Sequence, residues 1–132
     1  MVKQIALATL LTGLTASSSF AQQCLHGPSE QPDQRTRREQ ALKMAQQINF
    51  AEAVIVPPQL GQPKYRPFAQ LLNVSPTPAG FRLQFYTDST SYTFTLKDTS
   101  DSCHYAILSD QDKGIYEAIP RTGAQIVPAK TQ

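Results

Sequence analysis

Apolar and polar positions along this chain change period near its middle. From Gln34 to about Ala53 no proline or glycine interrupts, and Ala41, Leu42, Met44, Ala45, Ile48 and Ala51 recur at three- and four-residue spacing, with Phe50 beside them. That period predicts one amphipathic helix of about five turns, with Asp33 as its N-cap. From Phe81 the period becomes two. Phe81, Leu83 and Phe85 alternate with Arg82, Gln84 and Tyr86, and after Asp88-Ser89-Thr90 the residues Tyr92, Phe94 and Leu96 alternate with Thr93, Thr95 and Lys97. Two half-buried strands joined as a hairpin follow from this pattern. Cys103 to Leu108 reads as a third, more continuously apolar strand, and Ile115 to Ile119 as a fourth, stopped by Pro120. The predicted fold class is α+β, with one N-terminal amphipathic helix packed on a four-stranded antiparallel sheet.

Between helix and sheet, residues 57–79 carry six of the 10 prolines, around Tyr65, Phe68, Leu71 and Leu72. This composition predicts an ordered loop with a helical turn over Pro67 to Leu72. A loop of such length is either functional or specifically packed; its aromatics favour packing over the core, and Tyr65 and Phe68 are the candidate binding surface if it is functional. The segment Thr90 to Thr95 is rich in strand formers and would be an aggregation hazard at an open sheet edge.

The first 21 residues are of a different kind. Met1-Val2-Lys3 gives a positive start, Ile5 to Ala16 a mostly apolar run, and Ser19 and Ala21 the small residues of a signal-peptidase site. The pattern predicts a signal peptide cleaved after Ala21, and hence a periplasmic or secreted protein. The apolar run is about half of the roughly 20 residues that cross a bilayer, so no membrane span is expected in the mature form. Removing 21 of 132 residues leaves one domain over 22–120 and a loosely ordered tail over 121–132.

The formal charge of +2 offers no electrostatic footprint for nucleic acid, and a protein is the expected partner. Cys24 and Cys103 both survive cleavage, and an even count in an oxidising compartment predicts a disulfide. A zinc set of these cysteines with His26 and His104 is the competing arrangement, but adjacent ligands on a strand point to opposite sides. Asp110-Gln111-Asp112-Lys113-Gly114 has alternate carboxylates that could converge on calcium, yet lacks the third acidic ligand of an EF-hand, and polar hairpin tips share this composition. No cofactor is therefore expected, with Asp110 and Asp112 as the calcium candidates. No P-loop, dinucleotide fingerprint, HExxH helix or nucleophile elbow occurs in the sequence, and neither histidine sits in a triad context. No catalytic residue is assigned.

Three stretches, taken in order, carry a family resemblance. Ala45-Gln46-Gln47-Ile48-Asn49-Phe50-Ala51-Glu52 is similar to the end of the long helix in bacterial type IV pilin-like proteins and type II secretion pseudopilins. Gly80-Phe81 to Leu96 resembles the first hairpin of their globular part. Ile107-Leu108-Ser109-Asp110-Gln111-Asp112-Lys113-Gly114-Ile115-Tyr116 looks like their closing hairpin. The resemblance implies a pilin-like headpiece acting as a structural or protein-interaction module, and a family in which some members bind calcium in the final region. The chain departs from the family pattern in lacking the uncut N-terminal apolar assembly helix, which implies a headpiece released as a soluble domain. The alternative function is a secreted small-ligand or glycan-binding protein using the Pro-rich loop 57–79.

Overall fold

A computed structural model describes residues 24–53, 64–88, 90–119 and 125–128. The signal peptide assigned to residues 1–21 lies outside them, as does the start of the Pro-rich loop. Helix α1 spans Pro32–Ala53, and a single 3-10 turn spans Phe68–Gln70. Five strands follow: β1 Phe81–Thr87, β2 Tyr92–Asp98, β3 Ala106–Asp110, β4 Ile115–Ile119 and β5 Gln125–Pro128. They form one antiparallel sheet in the order β1-β2-β3-β4-β5, with α1 against β3 and β4. Among the described residues no helix is long and apolar enough to cross a membrane.

The helix-on-antiparallel-sheet architecture is the expected one. The helix starts earlier than its apolar period suggested. Pro32 opens the first turn, where its missing N–H costs nothing, and the Gln31 carbonyl accepts from the Arg35 N–H at 2.9 Å. Asp33 therefore lies inside the first turn, facing the positive end of the helix, and is not the cap. The third strand begins at Ala106, not Cys103, because Asp101 folds the chain before it: its carboxylate accepts from the N–H groups of Cys103 and Tyr105 at 3.1 and 3.0 Å. The fifth strand lies in the stretch whose composition reads as a loose tail. Its register against β4, from Tyr116↔Pro128 to Ile119↔Gln125, gives those residues a backbone ladder that no local pattern announces.

Alternation decides the faces. Tyr92, Phe94 and Leu96 are buried, and each lies opposite β1 in register: Thr87↔Tyr92, Phe85↔Phe94, Leu83↔Leu96. Phe85, Phe94 and Tyr92 stack with centroids 6.0 to 6.4 Å apart. Ala41, Met44, Ala45 and Ile48 of α1 close over them and over Ile107 and Tyr105. Each large side chain so buried contributes about 1.5–3 kcal/mol relative to exposure. The hazardous segment Thr90–Thr95 enters β2, an interior strand paired on both sides, so its backbone is not offered to another chain.

Candidate functional site

The same alternation carries charge into the core. Tyr92, Phe94 and Leu96 are followed inward by Asp98, which is 0% exposed, and Ile115 by Glu117. A buried carboxylate needs partners, and the N-terminal segment supplies them. His26 is 2% exposed; its Nδ1 lies 2.7 Å from Glu30 Oε1 and its Nε2 2.8 Å from Asp98 Oδ2. Ionised carboxylates only accept, so the arrangement is fully satisfied when both ring nitrogens carry hydrogen. Arg37 Nη2 donates to the same Asp98 oxygen at 3.0 Å, and its guanidinium lies 5.6 Å from the Phe81 ring centre. Arg38 grips Glu30 through Nε at 2.9 Å and Nη2 at 3.1 Å and reaches Glu117 at 3.2 Å. Tyr105 donates its hydroxyl to Glu117.

Burial alone would raise the Glu30 carboxyl, but hydrogen bonds from Arg38 and His26 outweigh it and hold it below the ordinary range. Asp98 follows the same logic: burial opposes ionisation, while His26, the Ser100 N–H and the Arg37 charge favour it more and lower it. Burial, then the Glu117 contact, pushes the Tyr105 hydroxyl well above its usual value. A histidine between two acids has the composition of a proton-transfer device. Here each acid–base group is closed in by the others, and Nε2, the atom that would serve a nucleophile, is occupied by Asp98. What this cluster does chemically is bind the segment from Cys24 to Glu30 onto the end of the sheet.

The disulfide joins that segment to the same end. Cys24 and Cys103 are bonded, with Cα atoms 5.2 Å apart, so the expected bridge is present and the alternative zinc set is excluded. Leu25 N–H donates to Asp101 at 3.0 Å beside it. His104 stands exposed in the turn after Cys103 with φ 59°.

At the other end of α1, Asn49 bridges three elements. Its Nδ2 donates to Ser109 Oγ at 2.8 Å and to the Lys113 carbonyl at 3.2 Å, and its Oδ1 accepts from the Tyr92 hydroxyl at 2.8 Å. One turn later Glu52 is 1% exposed. Its Oε2 accepts from the Arg66 N–H at 3.1 Å, while Oε1 has no hydrogen-bond partner among the described residues. Burial raises this carboxyl.

The candidate binding-surface residues Tyr65 and Phe68 both pack against the core. Tyr65 is 8% exposed and meets Tyr92 edge-on at 4.9 Å, and Phe68 packs on Phe85 at 5.8 Å. Both are drawn inward because a Pro-rich segment has few backbone pairings and is held by its aromatic side chains. Besides Tyr86 on the sheet, the large hydrophobic side chains left exposed among the described residues are Phe50 and Leu72, at 71% and 72%. They belong to a cleft of about 420 Å³, with Lys43, Gln46, Gln47 and Ala51 on its helix side and Arg66, Leu71 and Asn73 on its loop side. Phe50 lies at the edge of the helix's apolar period, a signal that by itself does not name a cleft. Asp110 and Asp112 lie in the β3–β4 turn, where Asp110 Oδ1 accepts from the Asp112 N–H at 2.9 Å and the Asp110 carbonyl from the Lys113 N–H at 2.8 Å. Turn closure accounts for both. Among the described residues no group of three or more His, Cys, Asp or Glu side chains is arranged to hold a metal ion.

No protein-family model, no curated protein and no solved structure matches this chain.

Proposed function

We propose that this chain is an exported, non-enzymatic module with a pilin-like headpiece, acting as a structural or protein-interaction element in the periplasm or outside the cell. The observation that carries the reading is the Asn49 latch. Two of the stretches on which the resemblance rests, the helix end and the closing hairpin, meet there, and the third, β1–β2, joins through Tyr92. Export is supported by the leader pattern and by a disulfide, which persists in oxidising compartments. The non-enzymatic reading is supported by the way the acid–base groups around His26 are spent on one another.

The experiment is site-specific photo-cross-linking in the chain's own cells. A cross-linker replaces Gln84 or Tyr86, exposed on the sheet face turned away from α1, with Thr77 as an exposed loop control. The reading expects one discrete protein adduct from the sheet face, weak or absent at Thr77, on a mature chain starting at Gln22. Uncross-linked monomer at all three positions, or a retained leader, overturns it.

A second reading, a secreted small-ligand or glycan-binding protein using the Pro-rich loop, is favoured by the cleft at Phe50 and Leu72. A co-purifying adduct in native mass spectrometry of the exported chain would select it.

A further inference from the structure

We propose that the cleft between α1 and the 64–73 segment binds an amphipathic carboxylate, an apolar body bearing one acidic head. The inference deepens the second reading above and rests on it.

The helix wall is a single stripe. Lys43, Gln46, Gln47, Phe50 and Ala51 stand at i, i+3, i+4, i+7 and i+8, and from Lys43 to Phe50 the stripe runs about 10 Å at 1.5 Å per residue. Leu71 and Leu72 add apolar side chains to the loop wall of the same cleft. Leu71 is partly buried against the core, which fixes that wall, while Leu72 stays 72% exposed. Scattered surface leucines need no explanation, but two large apolar side chains left in water on opposite walls of one cleft do.

Charge identifies the occupant. The arginines farther up α1 are spent on carboxylates, Arg37 on Asp98 and Arg38 on Glu30 and Glu117. Among the described residues Lys43 and Arg66 are the ionic side chains that line the cleft and no carboxylate lines it; neither is held in a salt bridge, although the Arg66 charge also acts on the buried Glu52 carboxyl. The backbone N–H of Arg66 is tied to Glu52, so its side chain emerges from a fixed point. An apolar floor bordered by Lys43 and Arg66, neither of them in a salt bridge among the described residues, complements an anion with an apolar body. Arg66, with its planar fork, can take a carboxylate head bidentately. Size favours a small molecule over a protein segment. A cleft of about 420 Å³ is within the range of ligand sites, roughly 300–1,000 Å³, whereas a stable protein interface needs about 1,000 Å² of buried surface.

The test is a titration of the oxidised mature chain with sodium octanoate, 1-octanol and acetate, followed by amide chemical shifts in two-dimensional NMR. The proposal expects octanoate to shift Gln47, Ala51, Leu72 and Asn73 saturably, with octanol and acetate weaker by roughly tenfold or more. Lys43→Gln combined with Arg66→Gln should weaken octanoate by about tenfold and leave octanol unchanged. Because Arg66 is half-buried, Leu72→Asp, at an exposed position, gives a second variant. It should weaken octanoate by a similar factor with the melting temperature unchanged. Octanoate that binds no better than octanol, that shifts none of these amides, or that ignores both variants overturns the proposal. If native mass spectrometry meanwhile finds a neutral sugar, the binding-protein reading stands and the anionic amphiphile falls.

Discussion

Asn49 and Ser109, 60 residues apart in the chain, meet through a 2.8 Å hydrogen bond that fastens the C-terminal half of α1 to the β3–β4 hairpin. The amide also satisfies the Lys113 carbonyl and the Tyr92 hydroxyl, so one side chain serves three buried or half-buried groups. Asn49→Leu, similar in size, would leave the Tyr92 hydroxyl unpaired in the core, strip the Lys113 carbonyl of this donor and reduce Ser109 to its bond with the Gly114 carbonyl, at a cost of about 3 kcal/mol. Ser109→Ala should cost about 1 kcal/mol, since Asn49 retains its other two partners. Urea unfolding measures both, and a double-mutant cycle should return a coupling of about 1 kcal/mol. A coupling within error of zero would remove the latch from the account of the fold.

The carboxylates around His26 predict the acid limb of the stability curve. Glu30 and Asp98 have folded-state values held below their ordinary ones. The folded protein therefore binds fewer protons than the unfolded chain, and these groups stabilise it above the unfolded values of about 4. The contribution is lost as pH falls from there through the depressed folded values. Asp98→Asn should lower the melting temperature near neutral pH and flatten its fall below about pH 4. Parallel curves for the two proteins, offset equally at all pH values, would show that ionisation of Asp98 is not what stabilises the native state.

Much of this fold was legible because each strand declares its faces. The Phe81-Leu83-Phe85 and Tyr92-Phe94-Leu96 alternations set the hairpin and its register, and the unbroken run after Pro32 set the helix. The fifth strand was not, since Gln125–Pro128 is short and ends on proline, and only the ladder with β4 makes it a strand. The charged cluster was half legible. Asp98 and Glu117 occupy inward positions by the same alternation, but nothing local names His26, some 72 residues from Asp98, as the partner. Tyr65 and Phe68 read as side chains lying over the core because they are aromatic, but nothing in a proline-rich loop names Tyr92 and Phe85 as the rings they meet.

Glu52 makes a prediction of opposite sign. Burial raises its carboxyl above the ordinary value, and the Arg66 N–H offsets only part of this. The folded state holds this proton more tightly than the unfolded chain, so stability falls as pH rises from about 4 through the folded value. Glu52→Gln removes the charge and keeps an acceptor for Arg66. It should stabilise the protein by about 1 kcal/mol near neutral pH, with the gain vanishing near the unfolded carboxyl value. A loss of stability at neutral pH would mean that Glu52 is ionised and paired in solution.

The disulfide and the His26 clamp hold the same segment by different physics, and the two can be separated. A bridge across a sequence separation of 79 acts mainly on the unfolded chain, where the loop-entropy estimate is about 4.5 kcal/mol as an upper figure. The clamp acts on the native state, through His26 on Asp98 and Glu30 and through the Leu25 N–H on Asp101. Replacing both cysteines by serine should therefore lower global stability by up to about 4 kcal/mol while leaving the segment docked. Hydrogen exchange in that variant should still find the Leu25 amide protected, relative to the amide of exposed Thr77. Adding His26→Ala should then release it, because Asp98 and Glu30 lose their common partner and the chain before Pro32 has no covalent tie left. If protection at Leu25 disappears on loss of the bridge alone, the clamp is a consequence of the disulfide and not an independent anchor.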